Sequence, residues 1–154
     1  MTVSRSEIRS LFRRCRRGTV AIEFGIITPV LVVLFVGVGE VGYAAYQAMQ
    51  VQYAVEAGAL YAAKHGNDPG GITGAVSNAT SIAAIAATPA PASFCGCPGT
   101  AGIAAVSCTS NCANGNPPGQ YVRISATLTR QSIIPNSGLP LPAAFTAQSI
   151  IRLY

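Results

Sequence analysis

The chain has 154 residues, half of them apolar, with ten lysines and arginines against five acids and a formal charge of +5. That length holds one modest domain plus one membrane segment. Six arginines (Arg5, Arg9, Arg13, Arg14, Arg16 and Arg17) face only Glu7 before Gly18, so the whole net charge of +5 sits in the first 18 residues. The remainder is neutral overall, so the basic balance belongs to the leader and gives no reason to expect a nucleic-acid-binding body.

After the leader (residues 1–18) comes one long apolar run. Val20 to Gly39 is 20 residues, about 30 Å as a helix, which matches the hydrocarbon thickness of a bilayer. Arginines crowd its N-terminal side and few charges follow it. The positive-inside rule therefore predicts a single pass through the lipid bilayer, N-terminus cytoplasmic and everything after Glu40 translocated. The membrane helix is expected over residues 19–43. Glu40 is expected at the outer boundary, beside Tyr43 and Tyr46 in the aromatic belt. A cleaved secretory signal would need a shorter apolar region before its small-residue site, here Gly42-Tyr43-Ala44. An uncleaved anchor carrying an extracytoplasmic ligand-binding domain is the alternative reading.

One residue in the run demands a reason. Glu23 stands near its cytoplasmic end, where a carboxylate in hydrocarbon costs about 2.5–3.5 kcal/mol on insertion scales. The segment Gly18-Thr19-Val20-Ala21-Ile22-Glu23-Phe24 places a glycine after basic residues and a glutamate four positions beyond Thr19. Cutting after Gly18 would free an α-amine at Thr19, mostly cationic with a reference pKa near 8. Thr19 and Glu23 would share a helix face, and the helix dipole favours an anion in the first turns.

These residues resemble a type IV prepilin processing site. The Glu-Phe pair, Pro29 and the later "GEVGYAAYQA" are similar to the TadE-like minor pseudopilins of the tight-adherence (Tad, or Flp) pilus. The resemblance is strongest over roughly residues 16–64. It implies a non-enzymatic protein of the bacterial inner membrane, cut after Gly18 by a prepilin peptidase. It also implies partnership with other pilins and pseudopilins through the N-terminal helix. Thr19 and Glu23 would set axial register, and Phe24 would belong to the recognition site.

The helical pattern continues past the membrane over residues 44–65, rich in alanine, free of proline and stopped by His65-Gly66. Tyr46, Val51 or Tyr53, Leu60 and Tyr61 fall near heptad spacing, with small Ala54, Ala57, Gly58 and Ala62 between them, a close-packing stripe. Residues 66–154 form the expected translocated domain. There "NDPGG" reads as a loop, and "ITGAVSNATSIAAIAA" as a short amphipathic helix with Val76, Ala79, Ile82, Ala83 and Ala86 on one face. Alternation puts Val122, Ile124, Ala126 and Leu128 on one side of a strand. Phe145, Ala147 and Ile151 share one side of another. The proline-rich "IIPNSGLPLP" connects them. The predicted class is α+β: a long helix, half transmembrane and half soluble, packed on a small antiparallel sheet in a pilin-like manner.

Cys15 lies in the leader, while Cys95, Cys97, Cys108 and Cys112 lie beyond the membrane in a Gly/Pro/Ser/Asn-rich loop, residues 95–112. In an oxidising compartment four such cysteines read as two disulfides. Pairing Cys95 with Cys97 would be strained, which leaves Cys95–Cys108 with Cys97–Cys112 or the crossed arrangement. A four-thiolate zinc site is the competing reading, for which Cys-x-Cys and Cys-x3-Cys are imperfect spacings. No cofactor motif is present. His65 is the chain's one histidine and no acid follows Asp68, so paired-carboxylate or triad chemistry has no residues to use in the sheet region.

Overall fold

The computed structural model describes residues 5–100, 102–135 and 138–153, with side chains described from Val20 onward. Two helices precede four strands: α1 (Arg5–His65), α2 (Pro69–Asn78), β1 (Ala92–Gly99), β2 (Gly102–Ala105), β3 (Gly119–Thr129) and β4 (Ala144–Arg152). The chain divides into two compact units, Met1–Gly42 and Tyr43–Tyr154.

The first unit is helical from Arg5 on. Pro29 lies inside α1, where its ring nitrogen offers no donor to the turn before it. One residue earlier, the Thr28 hydroxyl donates to the Phe24 carbonyl at 2.6 Å, so a side chain adds an i-to-i−4 bond next to the missing one. From Val20 to Val38 large apolar side chains stand open: Ile22, Phe24 and Ile26 are each more than 60 % exposed, and Phe35 is 75 % exposed. Water would not tolerate such a surface on a stable helix, whereas lipid would. Among the described residues α1 is the one helix long and apolar enough to cross a membrane. Glu40 is the exception in this segment, with only 1 % of its surface exposed.

In the second unit the remainder of α1 packs on a small, curled antiparallel sheet with strand order β2-β1-β3-β4. The α+β arrangement is the one expected from the sequence. α1 buries Ala44, Gln47, Val51, Ala54, Val55 and Ala62, steps of three and four that define one helix face. β3 buries Val122, Ile124, Ala126 and Leu128 against it, and Phe145, Ala147 and Ile151 of β4 flank the same core. The alternating patterns expected in both strands are therefore present, with β3 and β4 paired from Tyr121↔Arg152 to Thr129↔Ala144.

The helix stripe needs correction. Tyr46, Tyr53 and Leu60 are 41 %, 64 % and 66 % exposed and lie off the core face. The buried face is made of small residues because the neighbouring elements come close. A β-carbon at Gly58 would stand 2.6 Å from Val76 Cγ2 and 3.2 Å from Ile124 Cγ2, so glycine is what lets α1, α2 and β3 meet there. Gln47 is the polar member of this face. Its side-chain nitrogen donates to the Gln131 carbonyl at 2.7 Å, and its oxygen accepts from the Gln131 amide at 3.1 Å. One buried side chain thus satisfies both backbone groups of Gln131, two residues beyond the end of β3.

Two further expectations are revised. "NDPGG" is the start of α2, with Asp68 as N-cap and Pro69 in the first turn, an arrangement that suits the missing donor of proline. α2 ends at Asn78, where Asn, Ser and Thr side chains compete for the backbone. Thr80 Oγ1 accepts from the Ile82 amide. Beyond it Ile85 is buried while Ala79, Ala83 and Ala86 are exposed, and Ala86 forms a β-bridge to Thr127. The cysteine segment read as a loop contains β1 and β2. β1 pairs with β3 from Ala92↔Arg123 to Gly96↔Gly119, and turns back into β2 through Gly102, whose φ of 116° suits only glycine.

Candidate functional site

Three places carry chemistry: the segment around Gly18 and the cysteine staples, both singled out in the sequence, and the junction between α1 and α2. At the first, α1 runs without interruption through Gly18 and Phe24. The side chains of Cys15 and Thr19 lie outside the described residues, as does any geometry of a Thr19–Glu23 pair. The carboxylate of Glu23 is described and exposed, on a turn whose other side chains, Val20, Ile22 and Phe24, are apolar and 62–69 % exposed. Within Val20–Gly39 it is the sole charge. An exposed carboxylate on an otherwise apolar surface is a strong acceptor for a cation or a hydrogen-bond donor.

At the second place the four outer cysteines form two disulfides, Cys95–Cys108 and Cys97–Cys112, with Cα–Cα distances of 5.1 and 5.6 Å. Of the two arrangements left open, the parallel one is the one formed. The four sulfurs are thus bonded to one another in pairs. The bonds tie β1 to the segment 106–118 beyond β2. Val106 also donates to the Cys95 carbonyl at 2.8 Å, and Cys112 donates to Asn116 at 2.8 Å within the outer loop.

The third place was not anticipated. Asp68 accepts from the Gly71 amide at 3.2 Å through one oxygen and from the Tyr61 hydroxyl at 3.0 Å through the other. The Tyr61 ring stacks on His65, centroids 4.4 Å apart. A β-carbon at Gly71 would collide with both the Tyr61 hydroxyl and the Asp68 carboxylate. The last turn of α1 is thereby fastened to the first turn of α2. Gly66 makes the bend between them, with φ of 77° and its amide donating to Ala62 at 2.8 Å. The Gly71 amide, followed by the Tyr61 hydroxyl, holds the Asp68 carboxyl below the usual carboxylate range, with the Gly70 amide and His65 adding to this. The same bond to Asp68 pushes the Tyr61 hydroxyl above its ordinary value.

A pH dependence follows. Because the folded pKa of Asp68 is lowered, its contribution is fully present above the ordinary carboxylate value of about 4 and fades as pH falls through its own lower value. Following the Gly71 amide resonance by NMR from about pH 6 to about pH 2 should show an acid shift and faster exchange at the start of α2. Asp68→Asn, which still caps, should abolish that shift. The signal for this cap was present in the sequence as Asp-Pro after a helix stop.

Residues 18–60 match the family model described as TadE-like protein. The matched span takes in the processing segment, the membrane-length apolar run and most of the buried face of α1. It ends before Asp68, α2 and the sheet. No curated protein and no solved structure matches the chain. The likeness of the chain to TadE-like proteins therefore rests on residues 18–60 of its 154.

Proposed function

We propose that the protein is a minor pseudopilin that takes part in assembling a Tad-type pilus and is matured by prepilin peptidase cleavage after Gly18. The observation that carries this reading is the lone carboxylate of Glu23 on the exposed apolar turn of α1, inside the segment that matches the family. Cleavage creates an amine one helical turn from that carboxylate. The amine of one subunit and Glu23 of the same or a neighbouring subunit then neutralise each other in a bundle of apolar helices. A subunit out of register leaves a charge stranded, which costs several kcal/mol, so the pair selects one axial offset. The arginine-rich leader stays on the cytoplasmic side and Tyr43–Tyr154 is delivered across the inner membrane, where the two disulfides form. The partners are the peptidase, the bilayer and other pilins and pseudopilins, met through α1.

Gly18 tests the reading. A bulky residue there, as in Gly18→Leu, should block the cut while leaving the membrane helix and its topology unchanged. In cells that make the peptidase, the variant should retain its arginine-rich head and migrate above the parent chain on a denaturing gel. Equal migration of parent and variant, with both retaining Met1, would favour the uncleaved anchor.

A further inference from the structure

The face of the sheet turned away from α1 is unlike the rest of the molecule. Alternate residues of β3 point to it: exposed Arg123, half-buried Thr127, and Tyr121 and Ser125, which are themselves covered; they are opposite in sense to Val122, Ile124, Ala126 and Leu128 of the core face. Cross-strand pairing adds Phe94 and Ala92 from β1, and Arg152, Ile150, Gln148 and Thr146 from β4.

One end of this face is cationic and braced. The Arg123 guanidinium carbon lies 5.2 Å from the centroid of the Phe94 ring, and Phe94 stacks on Tyr121 at 5.9 Å. Arg152 stands directly across from Tyr121. Its Nε and the Tyr121 hydroxyl close over Gly119, 3.2 and 3.3 Å from where a β-carbon would be. The Arg123 guanidinium is thus propped by an aromatic pair, which limits the rotamer freedom it would lose on binding, and exposed Arg152 stands beside it on the neighbouring strand. The acids of this unit, Glu56 and Asp68, belong to the helical layer across the sheet, and no Asp or Glu follows Asp68 in the chain. The arginines of this face therefore have no acidic neighbour along any strand.

The other end is uncharged and mixed in character. Thr88, Ser125, Thr127, Thr146 and Gln148, with Pro89, Ala126 and Ala147 between them, line an open depression of about 230 Å³. It is bounded on one side by the segment that bridges to Thr127 through Ala86. From Tyr121 to Thr127 the face extends roughly 20 Å at about 3.3 Å per residue. Its order is fixed: guanidinium groups, then hydroxyls and an amide. The first group asks for a carboxylate, which an arginine fork binds in a bidentate manner. The second asks for partners that both donate and accept, as sugar hydroxyls do.

We propose that this outer sheet face is a binding site for a linear acidic polysaccharide. Arg123 and Arg152 engage its carboxylates, and Thr127, Thr146 and Gln148 hydrogen-bond its hydroxyls. Charge complementarity selects an anion, and the hydroxyl-lined end selects a glycan over an acidic peptide.

The test is titration of the full-length chain in zwitterionic nanodiscs with three probes of equal length: a hexameric oligogalacturonate, a hexameric oligoglucose and hexaglutamate. The oligogalacturonate should bind at least tenfold tighter than either of the others and weaken as salt is raised. Combining Arg123→Gln with Arg152→Gln should weaken it by tenfold or more, with the far-UV circular dichroism unchanged. Thr127→Val with Thr146→Val should weaken the oligogalacturonate several-fold and leave hexaglutamate unaffected. Equal binding of hexaglutamate would reduce the face to a plain cationic patch and overturn the proposal. So would equal binding of the neutral glycan, no binding by the parent chain, or indifference to the arginine variants. Binding here does not depend on Gly18, so the cleavage reading stands or falls separately.

Discussion

Replacing Glu23 with alanine is expected to leave membrane insertion and cleavage intact and to abolish productive assembly with other pilus subunits. Insertion should be no worse, because the change removes a charge from the apolar run at a site where one costs about 2.5–3.5 kcal/mol. Assembly should suffer because the new amine at Thr19 then enters a helix bundle without its anion. Breaking one half of a buried pair typically costs about 3–5 kcal/mol, equivalent to a hundredfold or greater loss in association. Glu23→Gln should behave like alanine although it keeps the shape, since the effect is one of charge. Glu23→Asp should retain part of the function. Pilus yield measured by shearing and immunoblotting checks this; parental yield in the alanine and glutamine variants would remove the register argument.

The second large effect concerns the staples. Replacing Cys95, Cys97, Cys108 and Cys112 together by serine should unfold the β1–β2 hairpin without dissolving the rest of the unit. β1 contributes no residue to the hydrophobic core cluster, which is drawn from α1, α2, the segment after α2, β3 and β4. Its sequence, ASFCGCPG, is poor in the β-branched residues that favour strands. It is held by five paired positions on β3, the stacking of Phe94 on Tyr121 and the two disulfides. Removing a native disulfide from a small domain costs about 2–5 kcal/mol, more than a marginal hairpin has in reserve. Hydrogen exchange should show β1 amides losing protection while those of β3 and β4 keep theirs. Equal protection of β1 in the parent and the serine variant would show that sheet pairing alone suffices.

The same contrast explains which elements the sequence declares. β3 and the flanking face of β4 could be read because each has one buried side, so its apolar residues alternate at period two. The apolar run before Gly42 could be read because twenty such residues match the length of a membrane-crossing helix. β1 and β2 were hidden because cysteines and a partner strand, not their own side chains, make them strands. The stripe expected on α1 was right in its small members, Ala54, Gly58 and Ala62, and in Val51, and wrong in its large ones, Tyr46, Tyr53 and Leu60. The small residues mark where the backbone is approached. Gln47 gave no sign either. In "YQAMQVQY" it looks like any solvent-facing glutamine until the end of β3 is brought beside it. Of the site, Glu23 was conspicuous as a charge in the wrong solvent. The Asp68 cap could have been read from Asp-Pro but was outweighed by the two glycines that follow.

The central claim is that the working molecule begins with a cation placed one helical turn before Glu23. Intact-mass measurement of the protein isolated from its own membrane, with the peptidase present, tests it most directly. A chain that starts at Thr19 is the predicted result. A functional chain that still starts at Met1 would contradict it.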